Sequence, residues 1–218
     1  MMARLRIYET FLSLQGESTR IGRLCFFIRL AGCNLDCSYC DTAPARSFET
    51  GEERSIDELV AEAAASGADF VEVTGGEPLA QDGVIELLEE LLARGLEVAL
   101  ETNGSLPLER VPEPVIRIVD YKLPSSRMTA RMRPENFRRL RPHDEVKFVI
   151  GGRADYEAAR VAIAHFELAK QTPNLLYSPV WGAVDFAELA SWIIADRLPG
   201  RMQIQLHKII WGPDKPGV

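Results

Sequence analysis

The sequence predicts an α/β fold, because short apolar runs rich in β-branched residues alternate with amphipathic helical segments along most of the chain. Regular alternation of this kind is typical of a parallel sheet whose strands are joined by right-handed helical crossovers. Glycine, proline and unusual polar residues follow the strands, where ligands bind in doubly wound sheets and in βα barrels. The pattern fits a doubly wound sheet or a complete or partial barrel. No linker divides residues 1–218, which predicts a single domain.

Each predicted strand is a short apolar run bounded by turn-forming residues. The predicted strands span residues 6–14, 25–30, 70–74, 97–101, 115–121, 145–150, 175–177 and 202–206. The predicted helices span residues 55–66, 84–94, 154–169 and 185–197, with a short helix near residue 134. Ser55 and Glu58 have the spacing of a capping box, and Gly67 and Gly95 predict the ends of the first two helices. The segment from the end of the second strand to residue 54 is predicted to be irregular.

The composition is that of a globular protein that can bury a sizeable core, with 46% hydrophobic and 26% charged residues. The net charge of −7 argues against a nucleic-acid or anionic-membrane partner, because such partners favour a basic surface. The sequence begins without an apolar signal segment, and no apolar run approaches the length of a membrane span. Few, clustered cysteines indicate a reducing compartment, so we expect a cytoplasmic protein.

Three of the four cysteines lie within eight positions, Cys33, Cys37 and Cys40, in a C-x3-C-x2-C pattern. Three thiolates from one loop can converge on one inorganic centre, and soft thiolate ligands favour zinc or an iron–sulfur cluster. No fourth ligand lies nearby, because Cys25 is eight residues upstream and the first histidine is His143. A structural zinc site would use four protein ligands, whereas three leave a metal position open for chemistry. A disulfide or a redox C-x-x-C formed by the last two cysteines is an alternative.

The cysteine loop and Gly75-Gly76-Glu77-Pro78, each following a predicted strand, resemble the radical S-adenosylmethionine (SAM) superfamily. Four further segments resemble the 7-carboxy-7-deazaguanine synthase family over nearly the whole chain: Gln15-Gly16-Glu17, residues 27–35, Cys40-Asp41-Thr42 and Gln205-Leu206-His207-Lys208. The resemblance implies a partial (incomplete) TIM-type βα barrel of the radical SAM kind. One departure is Ser18, which stands where the family usually has glycine. A turn with positive φ would be strained there unless a neighbouring glycine compensates.

The resemblance implies a lyase of queuosine and 7-deazapurine biosynthesis. Its reaction is the ring contraction of 6-carboxy-5,6,7,8-tetrahydropterin to 7-carboxy-7-deazaguanine, with loss of ammonia. The implied cofactors are a [4Fe-4S] cluster on Cys33, Cys37 and Cys40, SAM bound at the open iron and regenerated after each turnover, and magnesium (Mg2+) bound by Thr42. A hydroxyl oxygen is a hard ligand that suits magnesium. The implied partners are the pterin substrate, a reductant protein such as flavodoxin or ferredoxin, and a second copy in a homodimer.

The resemblance also implies a role for individual residues. The implied substrate contacts are Leu14, Gln15, Gly16, Arg29, Thr74 and His207. The implied SAM contacts are Gly76, Glu77, Asn103, Asp120, Tyr121, Lys122, Ser178, Pro179, Val180 and Trp181. Three of these residues have an open alternative: Arg29 at a strand edge facing water, Glu77 as the cap of a following helix, and His207 as a satisfied histidine at a strand end. Cys25 is expected to be a core thiol.

Three other functions are compatible with parts of the sequence. A radical SAM activase that forms a glycyl radical on a partner protein would share the cysteine loop but not Gln15-Gly16-Glu17 or residues 205–208. A zinc or redox-sensing protein would use the cysteines structurally. A nucleic-acid modifying enzyme would use residues 127–141, which contain six arginines. The negative net charge and the lack of an aromatic platform favour a solvated, salt-bridged surface for that segment.

Overall fold

The computed structural model describes residues 3–213, 215 and 217–218. Within these residues, the strands are β1 (Arg4–Leu14), β2 (Leu24–Leu30), β3 (Glu52–Ser55), β4 (Phe70–Gly75), β5 (Glu97–Thr102), β6 (Ile116–Tyr121), β7 (Glu145–Ile150), β8 (Asn174–Pro179) and β9 (Arg201–Met202). The helices are α1 (Ile56–Ala65), α2 (Val84–Ala93), α3 (Arg153–His165), α4 (Leu168–Gln171), α5 (Phe186–Asp196) and α6 (Leu206–Trp211), with 3-10 turns between them. None of the described helices has the length and apolar character needed to cross a bilayer.

The strands of the described residues form one sheet in the order β3-β1-β2-β4-β5-β6-β7-β8-β9. β1 runs antiparallel to both β2 and β3, whereas every pair from β2 to β9 is parallel. The order starts at β3 and ends at β9 without closing, so the sheet is a partial barrel, as the resemblance implied. Because the parallel strands share one direction, their carboxyl ends and the loops that follow them meet at one rim.

The apolar faces of the helices cover the outside of the sheet. Leu59 and Val60 of α1 and Leu87, Leu88 and Leu91 of α2 are buried against β2, β4 and β5. Burying each leucine of this kind stabilises the fold by roughly 2 kcal/mol. A second apolar cluster packs α3 and α5 on β7 and β8. A third lines the lower interior of the barrel, where Cys25 is fully buried, as expected of a core thiol.

The local signals at the first two helices are confirmed. The Ser55 hydroxyl accepts from the Glu58 backbone N–H at 3.3 Å, and the Glu58 carboxylate accepts from the Ser55 backbone N–H at 2.9 Å, which completes the capping box. Gly67 and Gly95 follow α1 and α2 with φ of +81° and +79°, the left-handed conformation that glycine adopts without strain. The predicted boundaries of β4, α2, β5 and β7 agree with the structure to within one residue.

Four local predictions differ from the structure. The stretch expected to be irregular contains β3, an edge strand whose charged residues carry no apolar signal because they face water. The helix predicted over 154–169 ends at His165, and Glu167 adopts a left-handed conformation before α4. The predicted strand 202–206 is replaced by the two residues of β9 and the start of α6. Ser18 itself has φ of +63°, so no neighbouring glycine relieves that turn.

Candidate active site

A cavity of about 830 Å³ opens at the rim where the parallel strands end. Its wall contains the cysteine loop after β2, the loops after β4, β5 and β6, and Gln205, His207 and Lys208 of the C-terminal segment. The loops that the sequence singled out after successive strands therefore meet around one space. Most of the predicted site residues line it: Leu14, Gln15, Gly16, Arg29, Cys33, Cys37, Cys40, Thr42, Thr74, Gly76, Asn103, Asp120, Lys122, Val180, Trp181 and His207.

Four predicted site residues are not among the described residues that line the cavity: Glu77, Tyr121, Ser178 and Pro179. The ring of Tyr121 turns away from the cavity and packs on Phe137 and Phe148 in the second apolar cluster. Ser178 and Pro179 are buried at the end of β8. These positions can act on a ligand only through the backbone or through the residues that they hold in place.

The three thiols of the cysteine loop are free and half-buried, so the disulfide alternative does not describe this structure. The backbone fixes the start of the loop, where the Cys33 N–H donates to the Arg46 carbonyl at 2.9 Å, and forms a turn within it, where the Cys40 N–H donates to the Cys37 carbonyl at 3.2 Å. The Asn103 amide points at the Cys33 Sγ from 3.8 Å. Burial raises the pKa of Cys37 and of Cys40, which favours the neutral thiols until positive charge arrives.

The donor set suits a cluster better than a single ion. In the part of the chain that the structure describes, no three His, Cys, Asp or Glu side chains gather as they would around one metal ion. A four-iron cubane takes each thiolate on a different iron, so its ligand sulfurs stand further apart than those around one ion. Three soft thiolates on one loop that lines a cavity fit such a cluster and would leave one of its irons without a cysteine ligand.

The cysteine loop is also held from the side by the loop after β6. Between Cys37 and Cys40, Ser38 donates through its N–H to the Ser126 carbonyl at 3.3 Å and through its hydroxyl to the Ser125 carbonyl. The buried carboxylate of Asp155 accepts from the Ser125 N–H at 2.9 Å. Helix α3, which carries Asp155, therefore supports the geometry of the cysteines through this loop.

The two glycines after β4 are required by a close approach between backbones. A Cβ atom on Gly75 would lie 2.2 Å from the Leu30 carbonyl oxygen, and one on Gly76 would lie 2.2 Å from the Gly32 carbonyl oxygen. The Gly76 N–H donates to the Leu30 carbonyl at 3.0 Å. The glycines thus let the β4 loop pack directly on the start of the cysteine loop, while Gly76 still borders the cavity.

Glu77 is fully buried, and its carboxylate accepts three hydrogen bonds. The donors are the Leu79 N–H at 3.0 Å, the Thr102 hydroxyl at 2.8 Å and the Asn103 N–H at 2.7 Å. The first of these caps the 3-10 turn Pro78–Ala80, which is the alternative that the sequence left open. Burial raises the pKa of Glu77 to about 7, although the hydrogen bonds from these donors act to lower it. The residue ties the β4 and β5 loops together and orients Asn103.

Arg29 faces the cavity and is not at a water-exposed edge, since its side chain is only 18% exposed. Its Nε donates to the Glu9 carboxylate at 2.8 Å, and its guanidinium lies 5.7 Å from the centre of the Phe11 ring. The hydrogen bond to Glu9 uses one edge of the guanidinium, and the contact with Phe11 uses one of its faces. The two terminal amino groups are the ones left to receive an anion in the cavity.

Three charged residues on the inner strand faces, Glu72, Glu101 and Lys147, were missed by the sequence reasoning, and they group with the predicted Asp120. Lys147 of β7 lies 3.0 Å from the Glu17 carboxylate and 3.4 Å from that of Asp120, and it also contacts Glu101. Nearby, Gln15 donates to the buried carboxylate of Glu72. The available signal was the same one that drew attention to Arg29, a single charge inside an apolar strand.

The residues of this group differ in protonation state. Burial, together with the negative charge of Glu101, raises the pKa of Glu72 well above its usual range. Burial also opposes the charge of Lys147, but Asp120, Glu101 and Glu17 outweigh it and hold the pKa of Lys147 well above its usual range. The cavity floor therefore offers a carboxylic acid, an ammonium and carboxylates, a mixture of donors and acceptors suited to the edge of a polar heterocycle.

The C-terminal segment closes the side of the cavity near the end of β1. The Leu206 N–H donates to the Gly16 carbonyl at 2.9 Å, and the Gln205 amide donates to Glu17 at 2.8 Å. The His207 ring lies against Gly16 so closely that a Cβ there would be 2.2 Å from Nδ1. Burial lowers the pKa of His207, so its imidazole is neutral at neutral pH. His207 stands on α6 and not at a strand end.

Comparison with known proteins identifies relatives over the full chain. The family model of the radical SAM superfamily matches residues 27–163. The 7-carboxy-7-deazaguanine synthase of Koribacter versatilis is 41% identical, covering 98% of this chain and 100% of the relative. That of Chlorobaculum tepidum is 45% identical, covering 99% and 98%. The crystal structure of QueE from Escherichia coli aligns with a TM-score of 0.74 at 26% identity, over 94% of this chain and 95% of that chain.

Proposed function

Because the chain belongs to the radical SAM superfamily and, within it, to the 7-carboxy-7-deazaguanine synthase family, it is a radical SAM enzyme that makes 7-carboxy-7-deazaguanine, and we propose that its cavity contracts the ring of 6-carboxy-5,6,7,8-tetrahydropterin with loss of ammonia. The observation that carries this proposal is the convergence of Cys33, Cys37, Cys40, Arg29 and Thr42 on one cavity. When bound, a [4Fe-4S] cluster supplies the electron that cleaves SAM to the radical that takes hydrogen from C6 of the pterin.

The cluster and SAM would occupy the side of the cavity formed by the cysteine loop and the β4 to β6 loops. Cys33, Cys37 and Cys40 would bind three irons, and the Asn103 amide beside the Cys33 sulfur would donate to it. Gly76 offers backbone groups to the methionine part of SAM. Asp120 and Lys122, which pair at 2.9 Å, and Val180 and Trp181 line the remaining wall for the nucleoside. Glu77 would act by holding Asn103.

The pterin would lie over the charged floor, between β1 and the C-terminal segment. The backbone of residues 14–16 can read its amide edge, and the Thr74 hydroxyl and the neutral His207 ring border the same space. Arg29 would hold the substrate carboxylate with its two terminal amino groups, since the Nε is already engaged by Glu9. A planar guanidinium binds a carboxylate with two parallel hydrogen bonds, which fixes both position and orientation.

Replacing Arg29 with lysine is expected to raise the KM for the pterin by about tenfold to a hundredfold, because the loss of one charge-assisted hydrogen bond costs about 1.5–3 kcal/mol. The Kd for SAM should change little, since Arg29 is not among the predicted SAM contacts. Steady-state kinetics at saturating SAM and a separate SAM-binding titration measure the two quantities. Equal losses for both ligands would contradict the clamp role.

Magnesium would bind between Thr42 and the substrate carboxylate. The Thr42 hydroxyl donates to the neighbouring Asp41 carboxylate at 3.1 Å, which leaves its oxygen lone pairs to face a cation. One protein oxygen, substrate oxygens and waters make the kind of mixed shell that magnesium accepts. Thr42 lines the cavity, whereas Asp41 also pairs with Lys208 at 3.1 Å.

The exchange of Thr42 for alanine is expected to increase the magnesium concentration needed for half-maximal product formation by at least about tenfold, since a direct ligand is lost. Thr42→Ser keeps the hydroxyl and should restore most of the wild-type magnesium response. A magnesium titration of the initial rate with both variants measures this. An unchanged half-maximal concentration in the alanine variant would remove Thr42 from the metal site.

The activity is tested by one anaerobic assay of the reconstituted protein with a chemical reductant, SAM and 6-carboxytetrahydropterin. Mass spectrometry should detect 7-carboxy-7-deazaguanine in amounts above the SAM consumed, because SAM is regenerated. Formation of 5′-deoxyadenosine without this product would keep the superfamily and reject the family activity. A colourless protein with stoichiometric zinc would reject both.

The assembly and the reductant form a separate part of the proposal. The relatives share the name of a biosynthetic enzyme, and we propose that this one works in the cytoplasm on a small molecule and receives electrons from a reductant protein such as flavodoxin or ferredoxin. We propose that it is a homodimer, as the family resemblance implies. Sedimentation equilibrium under anaerobic conditions measures this directly, and a mass of one chain, 24.3 kDa, would contradict the dimer.

A further inference from the structure

Glu72 lies in the middle of β4 and is the one charged residue of that strand. Its side chain is buried, with 3% of the residue exposed, and it lines the floor of the cavity. The proposed contacts with the cluster, SAM and the pterin do not include it. A buried carboxyl group that faces a ligand cavity and has no assigned role indicates a function at that site.

Glu72 has a carboxyl neighbour but no cationic partner. Among the residues that the structure describes, no lysine, arginine or histidine forms a salt bridge with it. The ammonium of Lys147 instead contacts the carboxylates of Glu17, Glu101 and Asp120. Glu101 of β5 also lies within hydrogen-bonding distance of Glu72. Two buried carboxyl groups in contact do not both ionise unless cations compensate both, and Lys147 contacts only Glu101 of the two.

The member of this pair that carries the proton is Glu72. Burial, followed by the negative charge of Glu101, raises the pKa of Glu72 well above its usual range. The other titratable groups near it are Lys147 of β7, Glu17 after β1 and the buried Cys25 thiol of β2. Of these, Lys147 favours the ionised form, but burial and the two glutamates oppose it. A neutral carboxyl group has one O–H donor as well as its acceptor oxygens.

The second contact of Glu72 is with Gln15, the residue that follows β1. The Gln15 amide nitrogen donates to the Glu72 carboxyl group, and the amide oxygen accepts from the Glu17 N–H at 2.9 Å. The partners fix the orientation of this amide, because a backbone N–H can only donate. The Gln15 backbone is also held, since its N–H donates to the Arg23 carbonyl at 2.8 Å and its carbonyl accepts from the Gly22 N–H at 2.7 Å. Glu72 thus anchors the turn whose backbone is proposed to read the amide edge of the pterin.

We propose that Glu72 is a protonated positioning residue that connects two parts of the pterin site. It accepts a hydrogen bond from Gln15 and donates one to Glu101, which holds the turn after β1 and the end of β5 at a fixed separation. This inference rests on the proposed function, because the pterin is the ligand that both parts would contact. Ionisation of Glu72 would instead place two carboxylates side by side, and their repulsion would force the two parts of the site away from each other.

Glu72→Gln and Glu72→Met separate the hydrogen bonds of this residue from its charge. The glutamine amide can accept from Gln15 and donate to Glu101 as the neutral acid does, so the Kd for 6-carboxytetrahydropterin should stay within about twofold of the wild type. Methionine makes neither bond, so this Kd should rise by about tenfold, whereas the Kd for SAM should not change. Anaerobic titrations of the reconstituted protein without reductant measure both quantities. A tenfold loss of pterin affinity in Glu72→Gln as well would mean that Glu72 acts as a carboxylate, and the proposal would be overturned.

A double-mutant cycle tests whether Glu72 acts through Gln15. Gln15→Met should raise the pterin Kd by about tenfold, and the addition of Glu72→Met should raise it little further, because loss of either partner already breaks the contact between them. Additive losses of about a hundredfold would show that the two residues act independently, which would contradict the positioning role.

Infrared spectroscopy detects the proton itself and needs no ligand. In deuterium oxide at neutral pH, the wild type should show the carbonyl band of a protonated carboxyl group that Glu72→Gln lacks. Glu145→Gln is the matched control: Glu145 is also buried but pairs with Arg20 at 3.0 Å, so its removal should take away carboxylate bands only. If Glu72→Gln lost no protonated-carboxyl band, the proposal would be rejected, and this holds even if circular dichroism showed that Glu72→Met is unfolded.

The proposed function would fail in a different way. The wild type would then neither bind the pterin nor form the product, while the infrared difference between wild type and Glu72→Gln would remain. The positioning role fails alone if the wild type binds and converts the pterin and Glu72→Met binds it equally well. The two failures are therefore distinguishable.

Discussion

Replacing any one of Cys33, Cys37 and Cys40 with alanine is expected to reduce product formation to below detection and to lower the iron content of the reconstituted protein. The physical reason is that two thiolates hold a four-iron cluster poorly, and without the cluster SAM cannot be reduced. All three thiols lie on the same short loop and line the cavity, and the fourth cysteine, Cys25, lies outside that loop. Iron and sulfide analysis, with electron paramagnetic resonance of the reduced protein, measures the effect.

Cys25→Ala provides the control for the ligand variants. Cys25 is fully buried in the lower interior of the barrel with Phe27 and Phe70, so its removal should cost some stability but leave cluster content and turnover largely intact. If this variant lost its cluster while a Cys33, Cys37 or Cys40 variant kept it, the ligand assignment would be wrong.

The fold was predictable because its pattern is local and repeated. Each parallel strand is an apolar run and each helix has one apolar face, so periodicity identifies both, and the resemblance identified the partial barrel. Two of the misses have a common cause. β3 and the C-terminal segment obtain their conformation from distant partners: β3 pairs with β1, and Leu206 bonds to Gly16. Sequence patterns do not contain such contacts.

The site was predictable to the extent that its residues follow strands. The rule that loops after parallel strands meet at one rim brought together the cysteine loop, Gly76 and Asn103. Tyr121 shows the limit of that rule. It ends β6 between Asp120 and Lys122, and because side chains alternate along a strand, those two face the cavity while the tyrosine ring packs in the core. Assigning residues 120–122 together as SAM contacts ignored this alternation.

The largest omission was Glu72, Glu101 and Lys147 of the charged floor, and their chemistry explains why the sequence pattern contains so little sign of them. A glutamate or lysine inside an apolar strand is compatible with an edge position, a bulge or a barrel interior. Only the sheet order brings Glu101 of β5, Asp120 of β6 and Lys147 of β7 onto one inner surface. Buried charges are costly unless they are paired, so their grouping indicates a site and not a packing accident.

Replacing Lys147 with methionine is expected to lower the Tm by about 10 °C at pH 8. Loss of one partner from a buried ion pair costs about 3–5 kcal/mol, because the remaining charges are left without compensation. Here Glu17, Glu101 and Asp120 would all lose the ammonium that contacts them. Pterin binding should weaken as well, since the floor of the cavity would lose the ammonium of Lys147. Circular dichroism under anaerobic conditions measures the Tm.

The decrease in Tm caused by Lys147→Met should be smaller at low pH, because the buried acids that remain can then be protonated. Burial already raises the pKa of Glu72 and of Glu101 above their usual values, and removal of Lys147 raises them further. A carboxyl group whose pKa is raised in the folded state favours folding while it is protonated, and this stability is lost as the pH rises through the folded pKa. The difference in Tm between wild type and variant should therefore narrow as the pH is lowered from 8.

Lys170→Met separates the burial effect from the mere loss of a lysine. Lys170 pairs with Glu167 on the surface, with 75% of its side chain exposed, and an exposed pair of this kind contributes less than about 1 kcal/mol. Its Tm should stay close to that of the wild type at every pH. A Lys147→Met variant that behaved like Lys170→Met would mean that the three carboxylates are solvated or already protonated. The cavity floor would then lack the ammonium–carboxylate arrangement on which the proposed pterin site depends.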